Sequence, residues 1–147
     1  MFKKEYLEFI CCPDCRGDLS LENNNLICGK CQRKYSLNDG IPMLFPALMK
    51  DDVMLSQKRW DEEYKRNIDR KKALKLKEGF NNTYLESHMV YFRNLFKSYR
   101  NKTYLEIGCG PFFMGQELGK LGAFVVGIDY SINALRLAKF HLQNEKI

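Results

Sequence analysis

Four cysteines in two pairs, and two carboxylates flanking a glycine turn, carry most of the chemistry legible in this 147-residue chain. Cys12-Pro-Asp-Cys15 and Cys28-Gly-Lys-Cys31 are C-x2-C knuckles with twelve residues between them. Each knuckle puts two thiolates on one side of a tight loop, where Pro13 and Gly29 suit the turn. Two knuckles complete a tetrahedral four-sulfur site for Zn2+. Four protein ligands leave no position for a water, so a zinc held by Cys12, Cys15, Cys28 and Cys31 is structural, and its thiolates offset part of the chain's positive charge. A disulfide pairing of the same cysteines is the bland alternative. Cys11 lacks a partner at matching spacing and reads as a buried thiol.

The second constellation is Thr103-Tyr-Leu-Glu-Ile-Gly-Cys-Gly110, continuing Pro111-Phe-Phe-Met-Gly115. A β-rich run carries Glu106 and breaks at Gly108 and Gly110. A helical run follows, and nineteen residues after Gly110 a second apolar run, Phe124-Val-Val-Gly-Ile128, ends in Asp129. Strand, glycine loop, helix, strand and acidic end form the opening of a nucleotide-binding βαβ unit. A dinucleotide fits poorly, because the third glycine of G-x-G-x-x-G is replaced by Phe113. A pyrophosphate also favours helix N-terminal amides without a carboxylate beside them. Glu106 instead suits a ligand bearing an ammonium and a sulfonium, and Asp129 offers acceptors to two ribose hydroxyls. S-adenosylmethionine is the expected ligand. The bland alternative is a tight strand-to-helix turn with Glu106 solvated. Cys109 reads as a small residue that fits, since methyl transfer from a sulfonium needs positioning more than a nucleophile.

The elements that must place these groups follow from periodicity and turn chemistry. Gly17, Asp18 and Asn23-Asn-Asn25 punctuate short strands such as Leu19-Ser-Leu21, and Asp39-Gly40 turns the chain into an extended apolar run to Phe45. Beyond Pro42 and Pro46 a charged helix begins near Asp51-Asp52. It carries a stripe of Trp60, Tyr64 and Ile68, with Asp61–Lys65 and Glu62–Arg66 pairs on its other side. Trp60 is expected to pack against the following domain, with base stacking as the alternative role. A cationic cluster, Arg70-Lys-Lys72, Lys75 and Lys77, reads as a solvated helix face or as an RNA contact. A further helix is predicted from Asn82-Thr83, with Thr83 and Glu86 in capping-box register and an apolar face of Leu85, Met89, Phe92, Phe96 and Tyr99. His88 sits beside that face as a packed or surface residue. Ser131 is the predicted N-cap of a helix from Ile132 to about Gln143.

Composition narrows the class. Hydrophobic residues make up 45% of the chain, enough for packed cores, and the formal net charge is +6. The excess sits in the middle: residues 51–102 hold 13 Lys/Arg against 8 Asp/Glu, while residues 103–147 hold 4 of each. No stretch approaches the roughly 20 apolar residues of a membrane helix, and the acidic residues near the N-terminus do not fit a signal peptide. A cytoplasmic protein with reduced thiols is expected.

Two resemblances refine this. C-P-D-C, C-G-K-C and D-G-I-P-M-L resemble the zinc-ribbon family of small activator subunits of tRNA and protein methyltransferases, over about residues 7–48. The same ribbon stands ahead of some bacterial methyltransferases, including an rRNA guanine methyltransferase. L-E-I-G-C-G-P and V-V-G-I-D-Y-S resemble motif I and the following acidic motif of class I S-adenosylmethionine-dependent methyltransferases, over about residues 80–147. That resemblance implies that Glu106, Gly108 and Gly110 line the methionine end of the cofactor. Asp129 would bind the ribose, and Tyr130 would lie near the adenine. Many members have a glycine where Phe112 stands, so a bulky side chain is expected to crowd the helix start.

The expected fold class is therefore α/β: a β-rich zinc ribbon (1–49), a charged helical linker (50–80), and the first βαβα portion of an incomplete Rossmann-like methyltransferase fold (81–147). The residues that hold the acceptor and any general base follow later strands in that family, so no catalytic residue is assigned and a truncated chain is expected. The expected function is S-adenosylmethionine-dependent methyl transfer, with RNA as acceptor class. The alternative is a non-catalytic zinc module that binds a methyltransferase or RNA partner, with a dimer or a complementing chain completing the fold.

Overall fold

A computed structural model describes residues 2–95 and 99–145. The chain divides into two compact units, Met1–Met54 and Leu55–Ile147. The first opens with a 3-10 turn, Lys4–Phe9, followed by β1 (Leu19–Glu22), β2 (Asn25–Cys28), β3 (Lys34–Asn38) and β4 (Ile41–Pro42). These form an antiparallel sheet in the order β1-β2-β3-β4. Asn23-Asn24 and Asp39-Gly40 close its two tight hairpins, and all four residues have positive φ. That is the backbone a two-residue hairpin of matching twist demands, and Asn, Asp and Gly adopt it most readily. The extended run predicted to Phe45 is strand only at Ile41–Pro42, with Met43 N still donating to Ser36 O at 3.0 Å. Strand alternation buries Tyr35 and Leu37 against Cys12, Leu19, Leu26 and Cys28, a core of six residues. A core this small rarely suffices without a metal or a cross-link.

In the second unit α1 (Asp51–Lys65) begins just before the boundary, and α2 (Arg70–Phe80) is capped by Asp69, whose side chain accepts from the Lys71 and Lys72 amides. The break predicted at Asn82 does not occur. Asn81 keeps helical angles, φ −59 and ψ −43, and the chain passes through one π turn (Asn81–Leu85) into α3 (Glu86–Leu95). Thr83 therefore caps nothing, because the amides it would satisfy are already within a continuing helix. Met89 lies in the core as predicted; Phe96 and the side chains of Arg70 and Phe92 lie outside the described residues.

The strands β5 (Thr103–Ile107) and β6 (Phe124–Ile128) are parallel, joined by α4 (Phe113–Lys120), and α5 runs Ile132–Glu145. Tyr104 and Val125 on one face pack with Met89, Met114 and Leu118. On the other face Leu105, Ile107, Phe124 and Ile128 stay 59%, 78%, 42% and 45% exposed. The predicted α1 stripe is only partly used: the helix ends at Lys65, Tyr64 is half-buried, and Trp60 and Ile68 remain exposed. Trp60 stacks on Tyr64 at 6.0 Å instead of burying itself in a domain. Among the described residues no helix is long and apolar enough to cross a membrane.

Candidate metal centre and glycine-loop site

The two knuckles adopt the same local geometry. Arg16 and Gln32, each directly after the second cysteine, are left-handed at φ 58 and φ 59, and their amides donate to the carbonyls of Cys12 and Cys28 at 2.9 and 3.0 Å. The strained positions are thus Arg16 and Gln32 rather than Gly29. The turns bring the Sγ atoms of Cys12, Cys15, Cys28 and Cys31 within 4.8 Å of one another. Cys12 and Cys31 are 3.7 Å apart, Cys15 and Cys28 3.4 Å. A tetrahedral zinc with Zn–S bonds of about 2.3 Å separates its sulfurs by about 3.8 Å, so this donor set fits the ion and could hold it. Cys11 is exposed, not buried as its isolation suggested.

Gly17 has a second reason to be glycine. A Cβ there would lie 3.0 Å from the Cys28 sulfur, 3.3 Å from that of Cys15 and 2.7 Å from Lys30 Cβ. The sequence pattern marks it only as a turn residue.

Electrostatics at the sulfurs is uneven. Burial would raise the Cys12 thiol, yet the Tyr35 phenol at 3.0 Å and neighbouring amides draw it down to about 6. At Cys15 the Gly17 amide pulls downward but burial and the adjoining sulfurs win, and the thiol is pushed up to about 12. Four sulfurs this close cannot all be anionic without a cation among them. Tyr35 also donates to Asp14 Oδ2 at 2.8 Å, Arg33 meets the same oxygen at 3.0 Å, and Ala47 N donates to Asp14 Oδ1 at 2.7 Å. Nothing in the spacing singled out Asp14 or Tyr35; the only cue was an acid inside the first knuckle.

In the second unit the glycine loop and the acidic strand end come together. Gly108 N and Cys109 N both donate to Ile128 O, at 2.8 and 3.0 Å, and Gly110 N donates to Asp129 Oδ2 at 2.8 Å. Asp129 Oδ1 accepts from Ser131 N at 2.8 Å. Each carboxylate oxygen keeps a second lone pair for a ligand, so Asp129 both ties the loop and retains acceptor capacity. Gly108 has φ +67 with nothing within 4 Å of a would-be Cβ, while a Cβ on Gly110 would strike the Tyr64 hydroxyl at 2.9 Å. Tyr130 is half-buried, and its carbonyl accepts from Gln57 Nε2 at 3.0 Å.

Glu106 is on the helix-packed face of β5. Burial raises its carboxyl to about 7 against the opposing pull of the Gly115 amide. Its Oε2 is buried without a hydrogen-bond partner among the described residues. An orphaned acid next to an open glycine position is what a cationic ligand would complete.

Phe112 does not crowd the helix start. It is left-handed (φ 62, ψ 35) and 9% exposed, and its ring occupies a slot left by two absent side chains. A Cβ on Gly115 would come within 2.2 Å of that ring, and one on Gly127 within 2.5 Å.

Two predicted contacts are replaced. Asp61, expected to pair with Lys65, instead accepts from Ser131 Oγ (2.9 Å), Asn133 N (3.0 Å) and Asn133 Nδ2 (2.8 Å) at the start of α5. Ser131 still caps that helix as predicted, receiving Ala134 N at 3.1 Å. Of the cationic cluster, Lys71, Lys72 and Lys75 are exposed, but Lys77 turns inward to Gln116 Oε1 at 2.9 Å.

A family model described as Trm112p-like protein matches residues 3–40. The UPF0434 protein of Shewanella loihica (strain ATCC BAA-1088 / PV-4) is 42% identical over 45 residues, covering 29% of this chain and 76% of that protein. Its counterpart in Shewanella sediminis (strain HAW-EB3) is 44% identical over 45 residues, 29% of this chain and 75% of that one. A separate match is the ubiquinone biosynthesis O-methyltransferase of Hydrogenovibrio crunogenus (strain DSM 25203 / XCL-2), 38% identical over 52 residues, 35% of this chain and 22% of that enzyme. The chain thus spans about a fifth of the length of that methyltransferase. An antiparallel ribbon with four converging cysteines defines the class, and the chain belongs to the UPF0434 (Trm112p-like) family.

Proposed function

We propose that this chain is a zinc-ribbon-bearing S-adenosylmethionine-dependent methyltransferase polypeptide that carries the cofactor-binding opening of a Rossmann-like fold and acts on RNA. Zinc on Cys12, Cys15, Cys28 and Cys31 is structural, fixing the ribbon. The observation that carries the cofactor reading is the closed array of Gly108, Gly110 and Asp129 beside Glu106, whose Oε2 is buried without a partner among the described residues. In this reading Glu106 faces the ammonium and sulfonium end, Asp129 accepts from the ribose hydroxyls, and Tyr130 borders the adenine. Bound there, the cofactor supplies an electrophilic methyl group; the chain's own residues orient it and match its charge. Partial similarity to an O-methyltransferase supports the class of reaction, not the acceptor.

The test is calorimetric titration of the full chain with S-adenosylmethionine, beside Gly108→Ala. A methyl at 108 projects into open space, so it costs only the left-handed backbone penalty of about 1–2 kcal/mol while obstructing a ligand. Saturable one-site binding lost in Gly108→Ala supports the reading; no binding, or binding indifferent to the substitution, removes it. A second reading, favoured by the Trm112p-like match, is a non-catalytic zinc module that engages a methyltransferase partner in the cytoplasm. Methyl transfer by the isolated chain would exclude it.

A further inference from the structure

Asp14 lies inside the first knuckle, between two of the four cysteines, yet its carboxylate points to none of them. It gathers Tyr35 Oη at 2.8 Å and Arg33 at 3.0 Å on Oδ2, and Ala47 N at 2.7 Å on Oδ1. Tyr35 is 3% exposed and stands between this carboxylate and the Cys12 sulfur, 3.0 Å from the latter. Arg33 also lies over the Tyr35 ring, 5.5 Å from its centroid. A phenol has one proton to donate. That proton lies on Asp14 Oδ2; a metal-bound Cys12 thiolate 3.0 Å away would compete for it, and Arg33, 3.0 Å from the same oxygen, would compensate the carboxylate that gives it up. Ala47 belongs to the segment that follows β4 and leads out of the ribbon.

We propose that Tyr35, Asp14 and Arg33 act as positioning residues for the metal centre, and that Asp14 makes the seating of the exit segment at Ala47 depend on the loaded metal. The inference rests on the zinc reading. Hydrogen bonds to a ligand atom fix its direction and are worth about 10–100-fold in metal affinity. The same carboxylate that fixes the Tyr35 hydroxyl beside Cys12 holds the Ala47 amide. Ordering of the sulfurs around zinc, ordering of the phenol and retention of Ala47 are thus one linked array, spanning 33 residues of sequence between Asp14 and Ala47.

The experiment measures zinc affinity of the full chain by competition with a chromophoric chelator, together with amide hydrogen exchange at Ala47. Tyr35→Phe, which keeps the ring, and Asp14→Asn, which keeps the shape, are each expected to bind zinc about 10–100-fold more weakly than the wild type. Arg33→Gln, at a partly exposed side chain that the ribbon core does not need, is expected to weaken it by a smaller factor. The Ala47 amide should exchange faster after chelation, and equally fast in zinc-loaded Asp14→Ala, which removes its acceptor. Wild-type zinc affinity in all three variants, or Ala47 exchange indifferent to the metal, overturns the proposal and leaves the zinc centre standing. A wild-type chain that takes up no zinc overturns both.

Discussion

Glu106 and His141 are two side chains of the second unit whose protons are strongly displaced between pH 4 and 7, and they act in opposite directions. Burial raises Glu106 to about 7, so the folded chain keeps a proton that the unfolded chain loses near 4.5. Its contribution to stability is intact below pH 4.5 and is lost as pH rises through 7. His141, 1% exposed with Nε2 unpartnered among the described residues, is lowered to about 4 by burial and by Lys77. The unfolded chain takes up that proton first, so this contribution falls as pH drops from about 6.5 toward 4. In the wild type the two trends offset each other across the same window. Glu106→Gln should therefore be more stable than wild type at pH 8 by about 1–3 kcal/mol, allowing for partial exposure, with the difference gone below pH 4.5. Urea midpoints across pH 4–8 read this directly, and the variant's remaining slope should be that of His141. Under the proposed cofactor reading, Glu106 would be stability forgone for the sake of a binding site.

At the scale of elements, the junction of β5, α4 and β6 is held by one ring in one slot. Alanine at position 115, inside α4, would ordinarily gain about 1 kcal/mol over glycine. Here the Phe112 ring occupies its space, and β6 is met by the same ring at Gly127. Gly115→Ala and Gly127→Ala should each destabilise the second unit, by about 1–3 kcal/mol as overpacking does. In a Phe112→Gly background, Gly115→Ala should turn neutral or stabilising, although Phe112→Gly alone loses about 3–5 kcal/mol of ring burial. A double-mutant cycle in urea measures the coupling; additive effects would mean that the ring and the glycines do not share the slot. The α1–α5 contact works by a different means: Asp61 satisfies the Asn133 amide in the first turn of α5 and the Asn133 side chain, a cap supplied from another helix.

For the whole molecule, the two units draw on unlike sources of stability. The ribbon has six core residues, two of the four cysteines that could hold a metal among them, whereas the second unit closes helices over one face of a parallel strand pair. Chelation should therefore release amide protection across residues 2–54 while α4, β6 and α5 keep theirs, giving two separated transitions by hydrogen exchange. Simultaneous loss would show the units to be one cooperative system. The exposed Leu105, Ile107, Phe124 and Ile128 show how far the second unit is from a sheet covered on both sides, which is where parallel strands usually occur.

Sequence alone determined what is local. The cysteine spacing, the Asn-Asn and Asp-Gly hairpins, the Ser131 cap and the glycine break after Glu106 are each written within a few residues, because a turn or cap is satisfied by its immediate neighbours. Tertiary structure decided whatever needs a distant partner. Asp61 reaches Asn133 across 72 residues of chain. Lys77 leaves a cationic run for Gln116. Phe112 finds room only because Gly127 sits beside it in space, and Asp14 becomes a hub only once Tyr35, Arg33 and Ala47 converge. Even the helix predicted to start at Asn82 was decided by context, for a weak internal signal does not stop a helix already paired on both sides. Residue type limits what a group can do chemically; which group it meets depends on the path of the chain.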